Sequence, residues 1–335
     1  MAHNLRVLIS DTTNPWFNLA TEDWIFRELD PDTRTLFLWR NADTVVIGRH
    51  QNPWVECKVG KMEEDGIYLA RRQSGGGAVF HDTGNTNFTF LSSSDAYSQE
   101  ENFQIIIDAL ASFGISAERS GRNDILVQDR KISGSAFKHT RERSFHHGTL
   151  LINADLGRLQ DYLNPSAKKL VSKGIKSVRS RVANLTEFAA DLDHSTVTQA
   201  VMERFFEHYG SRCEPELLDA ASLREIPSLQ AYYDQMADWE WRFGKTPEFS
   251  HHLEEQFSWG GIDLHINVEH GVIRACTIFS DALDPEMIDS LQRVLPDVRY
   301  RREDVAAAID GVVTRHPDRS SELNELSQWL TEAMG

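Results

Sequence analysis

The chain holds only three cysteines in 335 residues, Cys57, Cys213 and Cys276, far apart and odd in number. No C-x-x-C pair occurs, which leaves neither a zinc knuckle nor a disulfide framework supported. Free thiols fit a reducing compartment. No apolar run is long enough for a membrane-spanning helix, and the opening MAHNLRVLISD lacks the apolar centre of a signal peptide. A cytoplasmic monomer with no membrane partner is expected. Positive charge is scarce as well: the formal net charge is −16. Nucleic acid is therefore not an expected partner.

The common nucleotide signatures are missing too. A dinucleotide G-x-G-x-x-G built on Gly75 and Gly77 would need glycine at 80, where Phe80 stands. Gly244-Lys245-Thr246 resembles the end of a phosphate loop, but the earlier glycine of that motif falls on Trp239. Neither H-E-x-x-H nor G-x-S-x-G occurs.

What is present is uneven charge and one unusual glycine run. Residues 130–181 hold twelve Lys or Arg against three Asp or Glu, a local balance of +9. Residues 248–335 hold seven basic and seventeen acidic groups, a balance of −10. The basic stretch suits an anion site or a solvated basic face. In ARRQSGGGAVFHD, three glycines separate segments that read as strands. Glycines let backbone approach a ligand and let successive N–H groups form an anion nest. Arg71 and Arg72 precede the run; strand alternation predicts that only one of them reaches a site. The plain alternative is a loose loop beside surface arginines.

The flanking pattern is α+β with a mixed, largely antiparallel sheet. A helix is expected from Pro15, capped by Asn14. TLFLWRNADTVVIG reads as two strands about an Asn-Ala-Asp turn, and AVFHDTGNTNFTFL as a hairpin turning at Thr83-Gly84-Asn85. Gly114 ends a helix beginning near Phe103. A basic, aperiodic stretch, SAKKLVSKGIKSVRSRVANL, reads as a loop that orders when something binds. The boundaries expected are 1–246 for a catalytic domain, 247–252 for a linker and 253–335 for a small α+β domain.

Further candidates surround the glycine run. Asn123-Asp124 opens a strand, and one carboxylate there suits a phosphate-bound Mg²⁺ that keeps most of its waters. Lys131, before Ile132-Ser133-Gly134, can stand beside a ligand as a compact charge. Taken alone, the first reads as a turn and the second as a solvated hairpin lysine. His147 begins an apolar strand and reads as a hydrogen-bonded core group. Lys173, Lys176, Arg179 and Arg181 could close over an anionic intermediate and exclude water. The set suits an enzyme that activates a carboxylic acid with ATP without a Walker motif. Val79 and Phe137 are candidates to line an apolar tail.

The strings WFNLATEDWIF, ARRQSGGGAVFHDTGNTNFTF, GRND, DRKISGSAF, FHHGTLLINADL, GIKSVRSRVANL and FSWGGIDLHINVEHG occur in order. With them the chain resembles the lipoate–protein ligase A family over nearly its whole length. The resemblance implies a catalytic domain of the class II synthetase and biotin-ligase type. It implies a lipoyl-adenylate made from lipoate and ATP, then transfer to a lysine on lipoyl carrier domains of 2-oxoacid dehydrogenases and the glycine cleavage H protein. It places Arg72, Gly77, Ala78, Val79, Phe80 and Lys131 at ATP. It places Lys131, Arg72, Gly75, Gly76 and His147 at lipoate, and Asn123 and Asp124 at phosphate and Mg²⁺. The turn before Lys131 is shorter than the family's, and Gln73 stands where a serine is usual. A transferase of the same fold would need a cysteine nucleophile, and none of the three lies in these motifs. A biotin ligase would carry a different arginine–glycine loop. A non-catalytic lipoate-binding protein has no need of Lys131 and Asp124.

Overall fold

A computed structural model describes residues 4–28, 30, 32–121, 123–164, 182–245, 249–280, 282 and 284–334. The chain divides into two compact units. One comprises residues 1–49 with 67–238, the other residues 50–66 with 239–335.

The first unit is built on an eight-stranded sheet. Its strands are β1 (Leu5–Ser10), β2 (Arg34–Trp39), β6 (Asn85–Ser93), β7 (Glu118–Ser120), β8 (Asp124–Val127), β9 (Arg130–His139), β10 (Arg143–Leu151) and β11 (Glu216–Leu218). The order is β11-β1-β2-β6-β10-β9-β8-β7. β1 runs parallel to β2 and β11, and the remaining pairs are antiparallel. A second sheet joins β4 (Tyr68–Arg71), β3 (Thr44–Ile47) and β5 (Val79–His81), with β3–β4 parallel and β3–β5 antiparallel. The mixed α+β class expected from the sequence is the one observed.

The chain turns at both expected places, but neither turn joins paired strands, which corrects the expected hairpin. β2 and β3 do not pair across Asn41–Asp43, because they enter different sheets. β5 and β6 likewise separate at Asp82–Gly84 and form no hairpin. Asp82 Oδ1 accepts from Gly84 N at 2.9 Å and turns the chain there. A Cβ on Gly84 would lie 2.1 Å from the Asn153 carbonyl oxygen, so the turn is pressed against the end of β10. Short apolar runs between turns mark these strands in the sequence, but the sheet each joins depends on contacts remote in the chain.

Helix α1 (Pro15–Glu28) begins as expected: Asn14 Oδ1 accepts from the N–H groups of Trp16 at 2.9 Å and Phe17 at 3.2 Å. Helix α2 (Gln99–Ala111) is followed by Gly114 at φ +75°, and α3 (His194–Tyr209) ends on Gly210 at φ +64°. α2 and α3 supply Phe103, Ile106, Leu110, Val197, Val201 and Phe205 to one core with Leu36, Leu38, Phe88 and Phe90. α1 covers the opposite sheet face, where Phe26 meets Phe145 edge-on at 5.3 Å. It is buried nearly all round, including Asn18, Thr21, Glu22 and Asp23. A helix enclosed this way must find partners for every polar side chain.

Three histidines, two buried and one half-buried, set an acid limit. Burial, reinforced by Arg72 and His147, brings His81 down to about 3. Burial and the nearby Arg40 bring His194 down to about 4. His146 is held well below 6.5 by burial, within an aromatic cage of Phe88, Phe103 and Phe137. The unfolded chain therefore binds protons below pH 6.5 that the fold refuses, and stability falls as pH drops from 6.5 toward 4. Urea midpoints across that window check it. His146→Phe is expected to flatten the slope, and an unchanged slope counts against the cage as its cause.

The second unit carries an antiparallel sheet of β12 (Phe249–Phe257), β13 (Gly260–Glu269) and β14 (Val272–Ser280). Helices Pro285–Val294, Arg302–Arg315 and Ser320–Ala333 follow. Residues 53–64 add two short helices to this unit, where Trp54 packs on Phe243 at 5.2 Å and Tyr300 at 5.3 Å. Among the described residues, no helix is long and apolar enough to cross a membrane.

Candidate active site

The glycine run is held from beneath by Arg72. Its guanidinium donates to Val46 O at 3.1 Å, Ser74 Oγ at 3.0 Å, Gly75 O at 2.7 and 3.1 Å and Gly77 O at 2.8 Å. Burial lowers it to about 10, still charged at neutral pH. Arg71 is also buried and donates to the Arg49 carbonyl at 2.9 Å. Arg72 thus serves the glycine run, while Arg71 turns to the Arg49 segment, the division that strand alternation predicts. Gly76 takes φ +98°, and a Cβ on Gly48 would stand 2.3 Å from the Gly76 carbonyl oxygen. Two backbone segments meet there without side chains between them.

His147 ties this loop to the large sheet. Its Nε2 lies 2.8 Å from Ser74 Oγ and its Nδ1 2.9 Å from Glu22 Oε1. The same Glu22 oxygen accepts from Thr89 Oγ1 at 2.7 Å, and Thr89 accepts from Trp39 Nε1 at 3.1 Å. The loop is fixed to α1 a second time. Gln73 Nε2 donates to Asp23 Oδ2 at 2.9 Å, and Lys138 Nζ donates to Gln73 Oε1 at 3.3 Å. Burial raises Asp23, which Lys138 and Arg27 oppose; burial lowers Lys138, which Asp23 opposes.

A β-bulge brings Lys131 to the same face. Ile125 is paired with Ser133 but Leu126 with Lys131, so β9 carries one extra residue at Ile132. The Lys131 ammonium consequently lies over Gly134, where an added Cβ would be 2.8 Å from Nζ. It pairs with Asp124 Oδ1 at 2.8 Å. Asn123 Nδ2 donates to Ser135 O at 3.1 Å and Ser135 N to Asn123 O at 2.8 Å, which pins this corner to β9. Ser135 is paired across the ladder with Gly148, the neighbour of His147. Lys131, Gly134, His147 and the glycine loop therefore lie on the α1 side of one sheet region.

The bulge also moves a residue away. Phe137 meets His146 at 4.7 Å and Phe103 at 6.4 Å, on the α2 side of β9. It cannot line a tail on the lysine side, which corrects that expectation. Val79 is half-buried in β5, and Phe80 stacks on Tyr162 at 5.6 Å under Arg158. Gly75, Gly76, Gly77 and Ala78 form the exposed to half-exposed rim of the loop. Lys173, Lys176, Arg179 and Arg181 lie outside the described residues. Sequence reading missed Glu22, Asp23 and Lys138. The signal was in the sequence, as adjacent acids in the middle of an otherwise apolar helix. A separate cleft of about 270 Å³, lined by Asp11, Thr12, Arg40 and His194, shares none of these residues.

Gly134 gives a direct test of the lysine's seat. Gly134→Val places methyl groups where Nζ and Cε stand and is expected to slow turnover by about 100-fold, the scale of a misplaced reacting group. Wild-type rates in that variant would remove the Lys131–Gly134 contact from the reaction.

Two segments of the chain match known families. Residues 14–206 match the family model of the lipoyl protein ligase A/B catalytic domain, and residues 246–330 that of the bacterial lipoate protein ligase C-terminus. Lipoate-protein ligase A of Psychrobacter cryohalolentis is 60% identical over 98% of this chain and 99% of its own. The crystal structure of P. falciparum LipL1 in complex with lipoate is 34% identical, covers 98% of this chain and 100% of its own, and superposes with a TM-score of 0.63. A lipoate-protein ligase A crystal structure bound with ATP is 26% identical over 73% of this chain and 100% of its own, with a TM-score of 0.62. With a catalytic-domain match over more than half of its length and a 60% identical relative along nearly all of it, the chain belongs to the lipoate–protein ligase A family of enzymes.

Proposed function

We propose that this ligase joins lipoate to a lysine of lipoyl carrier domains through a lipoyl-adenylate, at the expense of ATP. The carriers are those of 2-oxoacid dehydrogenases and the glycine cleavage H protein. The observation that carries this reading is the Lys131 ammonium, seated over Gly134 on the sheet face that His147 ties to the glycine loop. Relatives whose structures hold lipoate and ATP support both substrates.

In the first step a lipoate carboxylate oxygen attacks the α-phosphorus of ATP, and the bond to the β-phosphate breaks with release of pyrophosphate. Two anions must meet, and Lys131 offsets their repulsion at the point of closest approach. Backbone N–H groups of Gly77, Ala78, Val79 and Phe80 face the nucleotide, and Gly75 and Gly76 leave room for the acyl chain. Arg72 supports both groups by shaping the loop, and His147 fixes it through Ser74. In the second step the carrier amine attacks the acyl carbon, adenylate leaves, and the amine loses a proton.

Mg²⁺ fits the donors present. Asp124 is a single, partly exposed carboxylate, and among the described residues no cage of three His, Cys, Asp or Glu surrounds it. One carboxylate beside Asn123 suits a hard cation held mainly by ATP phosphates. Such an ion would supply charge neutralisation on the phosphates. The cysteines do not favour a transferase reading: Cys57 and Cys276 are buried, and burial pushes the Cys276 thiol up to about 12.

Lipoate-dependent exchange of labelled pyrophosphate into ATP tests the proposal, with biotin and octanoate as controls. Exchange with lipoate supports it. Lipoylation of a carrier without any exchange activity or ATP requirement would overturn it.

A further inference from the structure

The outer face of the C-terminal sheet holds a polar cluster that ligation of lipoate does not use. His252 on β12 lies directly opposite His265 on β13, and Glu254 directly opposite Asp263. The alternate residues of β13, Ile262, Leu264 and Ile266, are buried on the other face. Both imidazoles turn the same atom toward one point: His252 Nε2 is 2.7 Å and His265 Nε2 2.8 Å from the single oxygen Asp263 Oδ1. Glu254 Oε1 is 3.0 Å from His252 Nε2. The two rings stack at 4.3 Å with an interplanar angle of 14°. One ligand atom from each of His252, Asp263 and His265 lies within 4.8 Å of the other two.

We propose that His252, Asp263 and His265, with Glu254 as a fourth donor, bind one transition-metal dication of the zinc type. Two imidazole nitrogens and one or two carboxylates match the borderline ligand preference of Zn²⁺, whose bonds of about 2.0–2.2 Å are reached when these exposed side chains open slightly from their present hydrogen-bond distances. Imidazole favours Zn²⁺, Cu²⁺ and Ni²⁺ over Mg²⁺ and Ca²⁺, so this site differs in kind from the single carboxylate at Asp124. Binding exchanges the protons between imidazole and carboxylate for the ion, so the site weakens in acid. Because the ligands come from paired strands, an ion there cross-links β12 to β13. The geometry is held by the β ladder itself, and side-chain exposures of 42–67% leave open access from solvent.

The experiment uses the untagged full chain, stripped with chelator, and titrates it with zinc chloride against a chromogenic zinc indicator in excess magnesium. One site per chain, roughly in the micromolar range or tighter, is expected, and it weakens in acid because the ligands must be deprotonated. His252→Gln with His265→Gln removes that site, and Asp263→Asn weakens it about tenfold or more. Cobalt(II) added to the parent gives tetrahedral visible absorption that the double variant lacks. All four side chains are solvent-facing, and circular dichroism verifies that each variant keeps its fold. Lys131→Ala keeps the full zinc stoichiometry. A zinc site unchanged in the double variant, or no site tighter than about 100 μM in the parent, overturns the assignment.

Discussion

Replacing Lys131 by alanine is expected to cut lipoate-dependent pyrophosphate exchange by about 1,000-fold or more while the fold survives. The magnitude follows from removing a fixed charge aimed at oxygens that gain charge in the transition state. The fold survives because the Lys131–Asp124 pair contributes little to stability. The two side chains are 35% and 33% exposed, and such a pair is worth up to about 1 kcal/mol. The structural role of residue 131 is carried by its backbone, whose carbonyl accepts from Ala183 N at 2.9 Å. Lys131→Arg should rescue poorly, since a planar fork replaces a compact point charge. Circular dichroism and urea unfolding accompany the exchange assay. A rate within a few-fold of the parent takes Lys131 out of the chemistry.

Arg72→Ala is expected to show the largest loss of stability, about 3–5 kcal/mol. A buried guanidinium with five short donor contacts disappears, and the carbonyls of Val46, Gly75 and Gly77 lose that donor inside the protein. Lysine has one point charge and no fork, so Arg72→Lys recovers less than half of the loss. Urea unfolding measures the effect directly. The resemblance to the family assigns Arg72 to ATP and lipoate, and the two roles separate cleanly. A variant with parental unfolding and only a raised KM for ATP is a ligand contact. A variant with a collapsed midpoint and impaired binding of both substrates is the strut that the hydrogen bonds describe.

Local chemistry was legible in the sequence. Asn14 caps α1, and Gly114 and Gly210 follow helices with positive φ, because each depends on a few adjacent residues. The glycine run was legible by itself, whereas Lys131 and Asp124 read alone as a hairpin lysine and a turn and stood out only in combination with the other motifs. Sheet membership was not, since β3 and β5 look like neighbours of β2 and β6 until distant strands claim them. Phe137 fails as a tail-lining candidate for a sharper reason. Lys131 and Phe137 are six residues apart and share a face in a regular strand, but the extra residue at Ile132 inverts the parity between them. Bulges leave no fixed mark in sequence. Glu22 and Asp23 were overlooked because the apolar spacing of α1 drew attention to its core contacts, whereas its buried acids do the anchoring.

The contact between Gly48 and Gly76 has a practical bearing on redesign. On the proposed reading of the glycine loop, a library meant to admit longer or branched acids would diversify the stretch from 71 to 80. That library succeeds only if position 48, more than twenty residues upstream, is left untouched. Any methyl group introduced there strikes the Gly76 carbonyl before a substrate arrives. The shape of the entrance is encoded twice along the polypeptide, and only one copy looks like a loop.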